Sequence, residues 1–427
     1  MNNYELRIET SEFKKVLDVL STVINKKNAL PILGDACIRY DRERKLFTMT
    51  AGNSEQWMQI ECWRADDQAD DGHRRWMFND SHGRGDDKRE PLQAFCVNVE
   101  DFREAFATLP SMPAMCYLSL DPQQGGGSIR VTYGKGEFTL PVQLAAEYPQ
   151  VPSVIERDGE EKREGVQPLV KFSIETQRLL PLIAAARVCS ASDELRPVMN
   201  TVVIDVFFDK AVIVASDAHS LYKHKLDTGM GWLRYGEFAV TESAKILIPT
   251  QAISPLVKAF AATETLTLTA DTQRICIESP EGIKLTTLTI EGRYPNYESV
   301  IPKDNPHRLL LDRAELAATL RRVSIFSAEA SNLAILKRNE EHVGITASDD
   351  SFGRNAAEQV SIINTDDCQL PDGFQIGFKI STMLQLLGCI STDNVVIELS
   401  DPSRAVLLKE DDRVSGLTLL QMPMVVN

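Results

Sequence analysis

Hydrophobic and polar positions along the 427-residue chain follow one pattern that occurs three times. Each copy begins with a capped stretch spaced like an amphipathic helix, continues with an alternating strand that ends in a small polar turn, and later contains a second helical stretch. The pattern predicts the first helices at 10–24, 175–190 and 312–327 and the second helices at 98–109, 249–263 and 379–390. It predicts the strands before the turns at 47–56, 211–220 and 343–352.

The spacing of the copies is that of domains. One alanine marks the turn in each copy, and Ala51, Ala215 and Ala347 lie 164 and 132 residues apart. Solenoid repeats have periods of about 20–50 residues, so they are excluded. A chain of 427 residues also favours about three domains. The predicted domains are 1–154, 167–302 and 303–427.

Three polar segments fall outside the predicted cores. Residues 64–92 are rich in Asp and Gly and are predicted to be an exposed insertion in the first domain. Residues 155–166 are charged and are predicted to be a linker. The second domain boundary is expected near Pro302–Pro306, because prolines interrupt helices and central strands.

The remaining strand signals predict antiparallel sheets. Further alternating stretches are 200–208, 265–278, 283–290, 395–399 and 404–409. The triplets Gly125-Gly126-Gly127 and Gly134-Lys135-Gly136 are expected to be turns, and the second lacks the remaining residues of a nucleotide phosphate loop. Two helices and several strands in each copy predict the α+β class, with helices against one face of an antiparallel sheet.

The charge of the chain favours two opposite interpretations. A net charge of −15 argues against a nucleic-acid binder, because phosphate binding needs clustered Lys and Arg. The six helical stretches with their flanks, however, hold thirteen Lys and Arg against ten Asp and Glu. Basic helices on an acidic shell indicate a polarised molecule. The alternative is that exposed helix faces are simply charged.

Composition also predicts the compartment. The eight cysteines are scattered without a Cys-x-x-Cys pair, which is typical of buried thiols in a reducing compartment and does not favour a zinc site. The first residues lack the apolar region of a signal peptide, and no stretch approaches the roughly 18 apolar residues of a membrane span. We therefore expect a cytoplasmic protein without metal or cofactor and without a membrane partner.

Candidate catalytic residues are few. Ser216, Asp217 and His219 are neighbours in sequence, but a triad must converge in space, and no nucleophile elbow is present. The acidic pairs Asp349-Asp350 and Asp366-Asp367 lack further ligands at metal-binding spacing. The sequence therefore predicts a non-catalytic protein. Two alternatives stay open, which are an enzyme of unknown class using Asp217 and His219, and a repeat scaffold that binds proteins but not DNA.

Four short sequence motifs, in a fixed order along the chain, resemble those of a known protein family. They are Leu30-Pro31-Ile32-Leu33-Gly34, Ser216-Asp217-Ala218-His219, Gly292-Arg293-Tyr294-Pro295-Asn296-Tyr297 with Val300-Ile301-Pro302, and Gln421-Met422-Pro423-Met424. Together with the three copies, they resemble the bacterial β sliding clamp, the processivity subunit of the replicative DNA polymerase III. The resemblance covers essentially the whole chain apart from 64–92 and 155–166.

The resemblance implies the DNA clamp fold and a head-to-tail homodimeric ring. Two chains of three domains would place their helices around a central hole and their sheets outside. Such a ring encircles double-stranded DNA without base recognition. It is implied to bind the replicative polymerase, the clamp loader and repair proteins through short linear motifs, and to have no active site of its own.

The resemblance also implies site residues. The implied DNA contacts are Lys15, Lys27, Arg196 and Gln251. Gln251 stands where the family often has lysine, and Glu100 and Asp101 stand where basic residues are known, although an acidic first turn also suits a helix dipole.

The implied partner pocket has apolar anchors, and methionines suit a pocket that accepts several partners. The matching residues are Met199, Ser216, Ala218, His219, Ser220, Leu221, Pro295, Val300, Ser403, Ala405, Leu420, Met422, Pro423 and Met424. Ser220 replaces a frequent arginine, and Ser403 and Ala405 occupy variable rim positions. The implied dimer seam joins Phe138 and Leu140 to Ile325 and Phe326. The alternative for the apolar residues is ordinary core.

Overall fold

A computed structural model gives the fold of the chain. It describes residues 2–25, 30–41, 43–44, 46–64, 75–78, 94–121, 123–152, 170–207, 210–227, 234–235, 244–363, 370–412 and 415–426. Six α-helices lie in this part of the chain, namely α1 Thr10–Leu20, α2 Val99–Ala107, α3 Thr176–Ala186, α4 Thr250–Ala259, α5 Arg313–Ser324 and α6 Ile380–Leu387. Short helices with predominantly antiparallel sheets confirm the α+β class.

All six predicted helices are present, each shorter than its predicted stretch. The side chain of Asp312 caps α5 by accepting a hydrogen bond from the Glu315 N–H at 2.7 Å. Asn98 caps α2 in the same way, and Glu100 and Asp101 lie in its first turn. The prediction of a side-chain cap for α1 is wrong, because Glu9, the residue at the N-cap position, makes no side-chain hydrogen bond to the helix. Within the described residues no helix is both long and apolar enough to cross a membrane.

The chain divides into two compact units. Unit 1 comprises 1–180, 232–239 and 251–289, and unit 2 comprises 181–231, 240–250 and 290–427. Unit 1 contains one fourteen-stranded sheet of order β14-β10-β16-β17-β18-β4-β3-β2-β6-β9-β8-β7-β1-β5. Its strands are β1 Asn2–Glu9, β2 Asp35–Asp41, β3 Leu46–Gly52, β4 Gln56–Arg64, β5 Arg75–Phe78, β6 Phe95–Asn98, β7 Pro113–Asp121, β8 Gly126–Tyr133, β9 Gly136–Leu144, β10 Val170–Glu175, β14 Arg234–Tyr235, β16 Thr265–Ala270, β17 Arg274–Glu278 and β18 Ile283–Leu288.

Unit 2 contains two sheets. The eight-stranded sheet has the order β15-β11-β12-β13-β26-β25-β24-β19, and the four-stranded sheet has the order β22-β21-β20-β23. The strands are β11 Thr201–Val206, β12 Lys210–Ser216, β13 Ser220–Asp227, β15 Ala244–Pro249, β19 His307–Asp312, β20 Leu333–Asn339, β21 His342–Asp349, β22 Arg354–Ser361, β23 Gln375–Lys379, β24 Asn394–Leu399, β25 Val406–Glu410 and β26 Leu417–Gln421.

Two strand predictions need correction. The stretch 265–278 forms two strands, because the Asp271 carboxylate accepts hydrogen bonds from the N–H groups of Gln273 and Arg274, both at 2.7 Å, and closes a turn. The predicted insertion 64–92 contains β5, which pairs with β1 and, in parallel, with β4. The rest of that insertion, apart from Arg64, and the linker 155–166 lie outside the described residues. The hairpin turn at Gly134 is confirmed, with a φ of 50°.

The three copies share one strand pattern. When Ala51, Ala215 and Ala347 are aligned, β2-β3-β4, β11-β12-β13 and β20-β21-β22 correspond strand by strand. β4 then pairs with β18, the last strand of the second copy. β13 pairs with β26, the last strand of the third copy. The same junction therefore occurs twice within the chain.

The third junction is open at both of its sides. β22, which corresponds to β4 and β13, is an edge strand of the four-stranded sheet as described. β9, the last strand of the first copy, meets β6 only through Gln143 and Leu144. Its residues 136–142 therefore have a single strand neighbour, β8, in the described part of the chain. Unpaired strand edges are templates for pairing with another chain.

Candidate functional site

The turn 216–220 between β12 and β13 is built around Asp217. Its Oδ1 accepts hydrogen bonds from the His219 N–H at 2.8 Å, the Ser220 N–H at 2.6 Å and the Ser220 hydroxyl at 3.0 Å. The Ser216 hydroxyl donates to the Ser220 carbonyl at 2.8 Å. This is the geometry of an Asx turn, in which the carboxylate organises the backbone. Asp217 and Ser216 are engaged in the turn itself, so the geometry gives no support to a catalytic role.

The loop 292–301 covers one face of the eight-stranded sheet. Tyr294 and Tyr297 are buried, whereas Pro295 between them is exposed. Both rings pack in an apolar cluster with Val203, Val212, Val214, Leu221, Leu247, Ala405, Leu407 and Leu420. The loop needs Gly292, whose φ is 133° and whose added Cβ would lie 2.6 Å from Cγ1 of Val198. The motif Gly292–Tyr297 therefore has a structural role: its two tyrosines pack in the core, and its proline stays on the surface.

The Tyr297 hydroxyl donates to Oδ2 of buried Asp205 at 2.8 Å. Burial, followed by the charge of Asp205, raises the pKa of Tyr297, so the phenol is neutral. Lys245 adds an ion pair with Asp205 at 3.7 Å, and its ammonium lies 5.7 Å from the Tyr297 ring centroid. These contacts hold the short 3-10 turn Tyr297–Val300 on the sheet. The turn carries Val300, whose side chain is 53% exposed.

The predicted pocket residues all lie in unit 2 and divide into a buried and an exposed set. Leu221 is opposite Leu420 in the ladder of β13 and β26, and Leu407 follows on β25. The buried set is Met199, Ser220, Leu221, Ala405 and Leu420. The exposed or half-buried set is Ser216, Ala218, His219, Pro295, Val300, Ser403, Met422, Pro423 and Met424. The buried set forms sheet and core beneath the second set, so only the second set is available at the surface.

The C-terminal residues are fixed by backbone bonds. The Met422 N–H donates to the His219 carbonyl at 2.7 Å, and the Met424 N–H donates to the Gly377 carbonyl at 2.8 Å. A Cβ at Gly377 would lie 2.8 Å from the Met424 carbonyl oxygen, so this approach requires glycine. The Met422 side chain is 39% exposed. The tail therefore presents methionines next to the Asp217 turn.

Arg196 lies in the loop between α3 and β11. Its Nε donates to Oδ2 of Asp193 at 3.0 Å, and its carbonyl accepts from the Met199 N–H at 2.9 Å. It therefore belongs to the loop that carries the pocket candidate Met199. Leu195 in this loop is 90% exposed, which sequence reasoning missed because a single leucine in a polar loop has no periodic signal.

The other DNA candidates are in unit 1. Lys15 is exposed on α1 and pairs with Glu12 at 2.7 Å. Gln251 is the second residue of α4 and donates to the Glu55 carboxylate. Lys27 lies outside the described residues. Lys258, which sequence reasoning did not single out, donates to the Asp18 carbonyl at 2.7 Å and adds a cation next to α1.

The helices themselves are only slightly basic. Within their observed bounds they hold eight Lys and Arg against six Asp and Glu. The excess of two basic residues within the helices is therefore most of the excess of three found over the longer predicted stretches.

The seam candidates differ in exposure. Ile325 and Phe326 follow α5 and are 69% and 39% exposed. Phe138 and Leu140 on β9 are half-buried, and the Phe138 ring meets Phe106 of α2 edge-on at 5.7 Å. Apolar side chains exposed beside an open strand edge are typical of interaction surfaces.

Comparisons with known proteins agree with one another. The family model described as DNA polymerase III beta subunit, central domain, matches residues 173–296, and the model of the C-terminal domain matches 298–425. The beta sliding clamp of Caulobacter vibrioides is 24% identical over 99% of this chain and 100% of its own length. That of Vibrio cholerae is 22% identical over 68% of this chain and 72% of its own.

Solved structures share the fold. The DNA polymerase sliding clamp of Bacillus subtilis superposes with a TM-score of 0.81 at 17% identity, and the beta sliding clamp of C. crescentus with 0.79 at 22% identity; both alignments cover 100% of both chains. The fold is therefore that of the sliding clamps. Since the two family models together match more than half of the chain, the chain belongs to the DNA polymerase III beta subunit family, the bacterial β sliding clamps.

Proposed function

We propose that this protein is a DNA polymerase processivity factor, a ring of two head-to-tail copies that encircles duplex DNA. The observation that carries the proposal is the family membership of the chain, together with the open third junction between its copies. Each copy forms one clamp domain, at 1–154, 167–302 and 303–427. The protein acts without an active site, in the cytoplasm.

Ring closure follows from the repeated junction. The β4–β18 and β13–β26 ladders join successive copies within one chain. Pairing β22 of one molecule with β9 of another makes the same junction a third time. This contact is heterologous, and a heterologous contact closes a ring when its rotation allows. Ile325 and Phe326 of one molecule would then pack against Phe138 and Leu140 of the other.

DNA binding in this proposal is electrostatic and independent of sequence. Lys15, Lys27, Arg196 and Gln251 are the candidate contacts, and the pairing of Arg196 with Asp193 also suits a place at the partner pocket. A small basic excess suits sliding, because few phosphate contacts give weak binding with a modest dependence on salt. The encircling ring supplies retention.

Partner proteins are proposed to bind the exposed residues above the buried Leu221–Leu420 ladder. Val300 and Pro295 on one side and Met422, Pro423 and Met424 on the other offer apolar contacts. A short linear motif with apolar anchors fits such a surface, in which a few side chains provide most of the affinity. The polymerase, the clamp loader and repair proteins would compete for it.

Topological retention tests the proposal directly. The protein is loaded by its own clamp loader onto a nicked circular plasmid and passed through a sizing column in about 0.5 M salt. At this salt concentration, interactions between exposed charges are screened beyond about 4–5 Å. We expect co-elution with the circle and release after a single cut that linearises it. The Ile325→Ala/Phe326→Ala variant is the control for an open ring. Retention that survives linearisation, or no retention on either DNA, contradicts the proposal and favours the protein-binding scaffold.

A further inference from the structure

A cavity of about 560 Å³ opens on the sheet face formed by β2, β3 and β4 in unit 1. Its wall includes Arg39, Thr48, Thr50, Gln59, Tyr148 and Val151. The volume lies within the range of about 300–1,000 Å³ that is usual for small-ligand sites. The cavity does not include any residue assigned above to DNA, partner or seam.

In the second copy, the place that corresponds to this cavity is filled by the side chain of Tyr297. Aligning Ala51 with Ala215 puts Arg39 at the position of Asp205, since Arg39 is opposite Thr48 and Asp205 is opposite Val212. Tyr148-Pro149 then corresponds to Tyr294-Pro295, and Val151 corresponds to Tyr297.

Both first tyrosines of these loops are buried on the sheet, Tyr148 with its hydroxyl donating to the Thr50 carbonyl at 3.1 Å. The second one, Tyr297, has no counterpart of its size in the first copy, because Val151 stands there.

The wall of the cavity also has the opposite charge. Asp205 in the second copy accepts the Tyr297 hydroxyl, whereas Arg39 in the first copy can only donate. Arg39 lines this wall, and its side chain is also a hydrogen-bond partner of the Cys37 sulfur.

Asp41 is the carboxylate of the lining. Its Oδ1 accepts the N–H groups of Glu43 and Arg44, both at 3.0 Å, so the backbone of its own turn holds it. The charged donor at this wall is therefore a guanidinium. It has five N–H groups, more than one bond to Cys37 uses, and it prefers a carboxylate in a planar, bidentate arrangement.

We propose that this cavity binds an organic carboxylate with an aromatic body about the size of a tyrosine side chain. The ring occupies the space between Tyr148 and Val151 that Tyr297 fills in the second copy, and the carboxylate accepts hydrogen bonds from Arg39. A free small molecule and the C-terminal aromatic residue of a peptide share this chemistry. The proposal is independent of ring formation and DNA binding.

A matched pair of probes tests the charge requirement. Binding of 4-hydroxyphenylacetate and of the neutral 4-hydroxyphenylacetamide to the full-length protein is measured by ligand-observed NMR titration. We expect the amide to bind at least tenfold more weakly. Acetyl-Gly-Gly-Tyr with a free or an amidated C-terminus forms the peptide arm, and the arm with the higher affinity for its free acid identifies the source. Equal binding of acid and amide in both arms overturns the proposal.

Matched variants locate the site. Arg39→Gln is expected to lower affinity for 4-hydroxyphenylacetate at least tenfold, whereas Arg44→Gln, which removes a nearby arginine paired with Glu61, is expected to leave it unchanged. Val151→Tyr places the second copy's side chain in the cavity and is expected to abolish binding. Thermal unfolding verifies that each variant is folded. Wild-type affinity in folded Arg39→Gln overturns the proposal, whether or not Val151→Tyr folds.

Discussion

The hydroxyl of Tyr297 and the carboxylate of Asp205 lie 2.8 Å apart and form a hydrogen bond buried between a loop and a sheet. Asp205 is 2% exposed, so the bond provides a donor to one oxygen, Oδ2, of a carboxylate that has little access to water. Lys245 is the second partner of this carboxylate and forms an ion pair with it at 3.7 Å. The same turn positions Val300 at the proposed partner surface, so stability and partner binding depend on one contact.

Replacing Tyr297 by phenylalanine is expected to destabilise the protein by about 1–3 kcal/mol, because a buried carboxylate oxygen loses its donor. Chemical denaturation monitored by circular dichroism measures the change. Tyr117→Phe is the control, since Tyr117 is half-buried on β7 and its ring faces Arg130. If the two variants lose the same stability, the hydrogen bond to Asp205 contributes no more to stability than the hydroxyl of the half-buried Tyr117.

Replacing Gly292 by alanine is expected to cost more than about 1 kcal/mol of stability. Its φ of 133° is disfavoured for any residue with a Cβ, and the new carbon would lie 2.6 Å from Cγ1 of Val198. Gly353→Ala is the matched control, with a positive φ of 62° and open space around it. Thermal unfolding of both variants compares a position with a close contact and a glycine-only backbone with a left-handed position in open space. A smaller loss in Gly292→Ala than in Gly353→Ala contradicts the proposed close approach.

Replacing Ile325 and Phe326 together by alanine is expected to give folded monomers. Both side chains are exposed in the single chain, so their loss affects the seam more than the core, by about 1–3 kcal/mol for each anchor of an interface. Sedimentation velocity measures the oligomeric state. Phe352→Ala, at a position 72% exposed on a hairpin turn, is the control and should remain dimeric. A wild-type sedimentation coefficient for the double variant would place the seam elsewhere.

Replacing Met422 and Met424 by alanine is expected to weaken binding of a polymerase-derived peptide by about tenfold or more, which corresponds to about 1.4 kcal/mol. The backbone bonds to His219 and Gly377 are retained, so the tail stays in place. Fluorescence anisotropy of the labelled peptide is the measurement. Val425→Ala, at a position 82% exposed, is the control. Unchanged peptide affinity in the double variant would show that partners bind at another surface.

The ion pair of Arg322 with Glu358 is expected to make stability depend on pH below about 4.5. The hydrogen bonds from Arg322 lower the pKa of Glu358 from its ordinary 4.5, so the pair stabilises the fold above that pH. Its contribution is lost as pH falls through the lowered pKa of the folded state.

Melting temperatures between pH 3 and pH 7 test this linkage. Glu358→Gln should lack this part of the acid-induced loss, whereas the exposed control Glu341→Gln should follow the wild type. Parallel curves for wild type and Glu358→Gln would contradict the assignment.

Hydrophobic periodicity determined the elements of this protein. All six helices and the turn at each marker alanine follow from local spacing, because helix and strand periods are set by the backbone itself. The motif Gly292–Tyr297 likewise pointed to the family of the chain before any geometry was known. Local signals were weaker where one residue closes a turn, and Asp271 therefore divided a stretch predicted as one strand.

Only the tertiary structure decided which strands meet. The pairing of β4 with β18 and of β13 with β26 joins residues more than 190 positions apart, and no local preference encodes such a contact. The tertiary structure also decided that Leu221 and Leu420 are buried in the sheet, whereas Val300 and Met422 are exposed at the surface. Tyr297 packs into the core of the second copy, whereas the corresponding Val151 lines a cavity in the first copy. The sequence alone does not predict this difference, because whether a side chain fills a space depends on the residues packed around it.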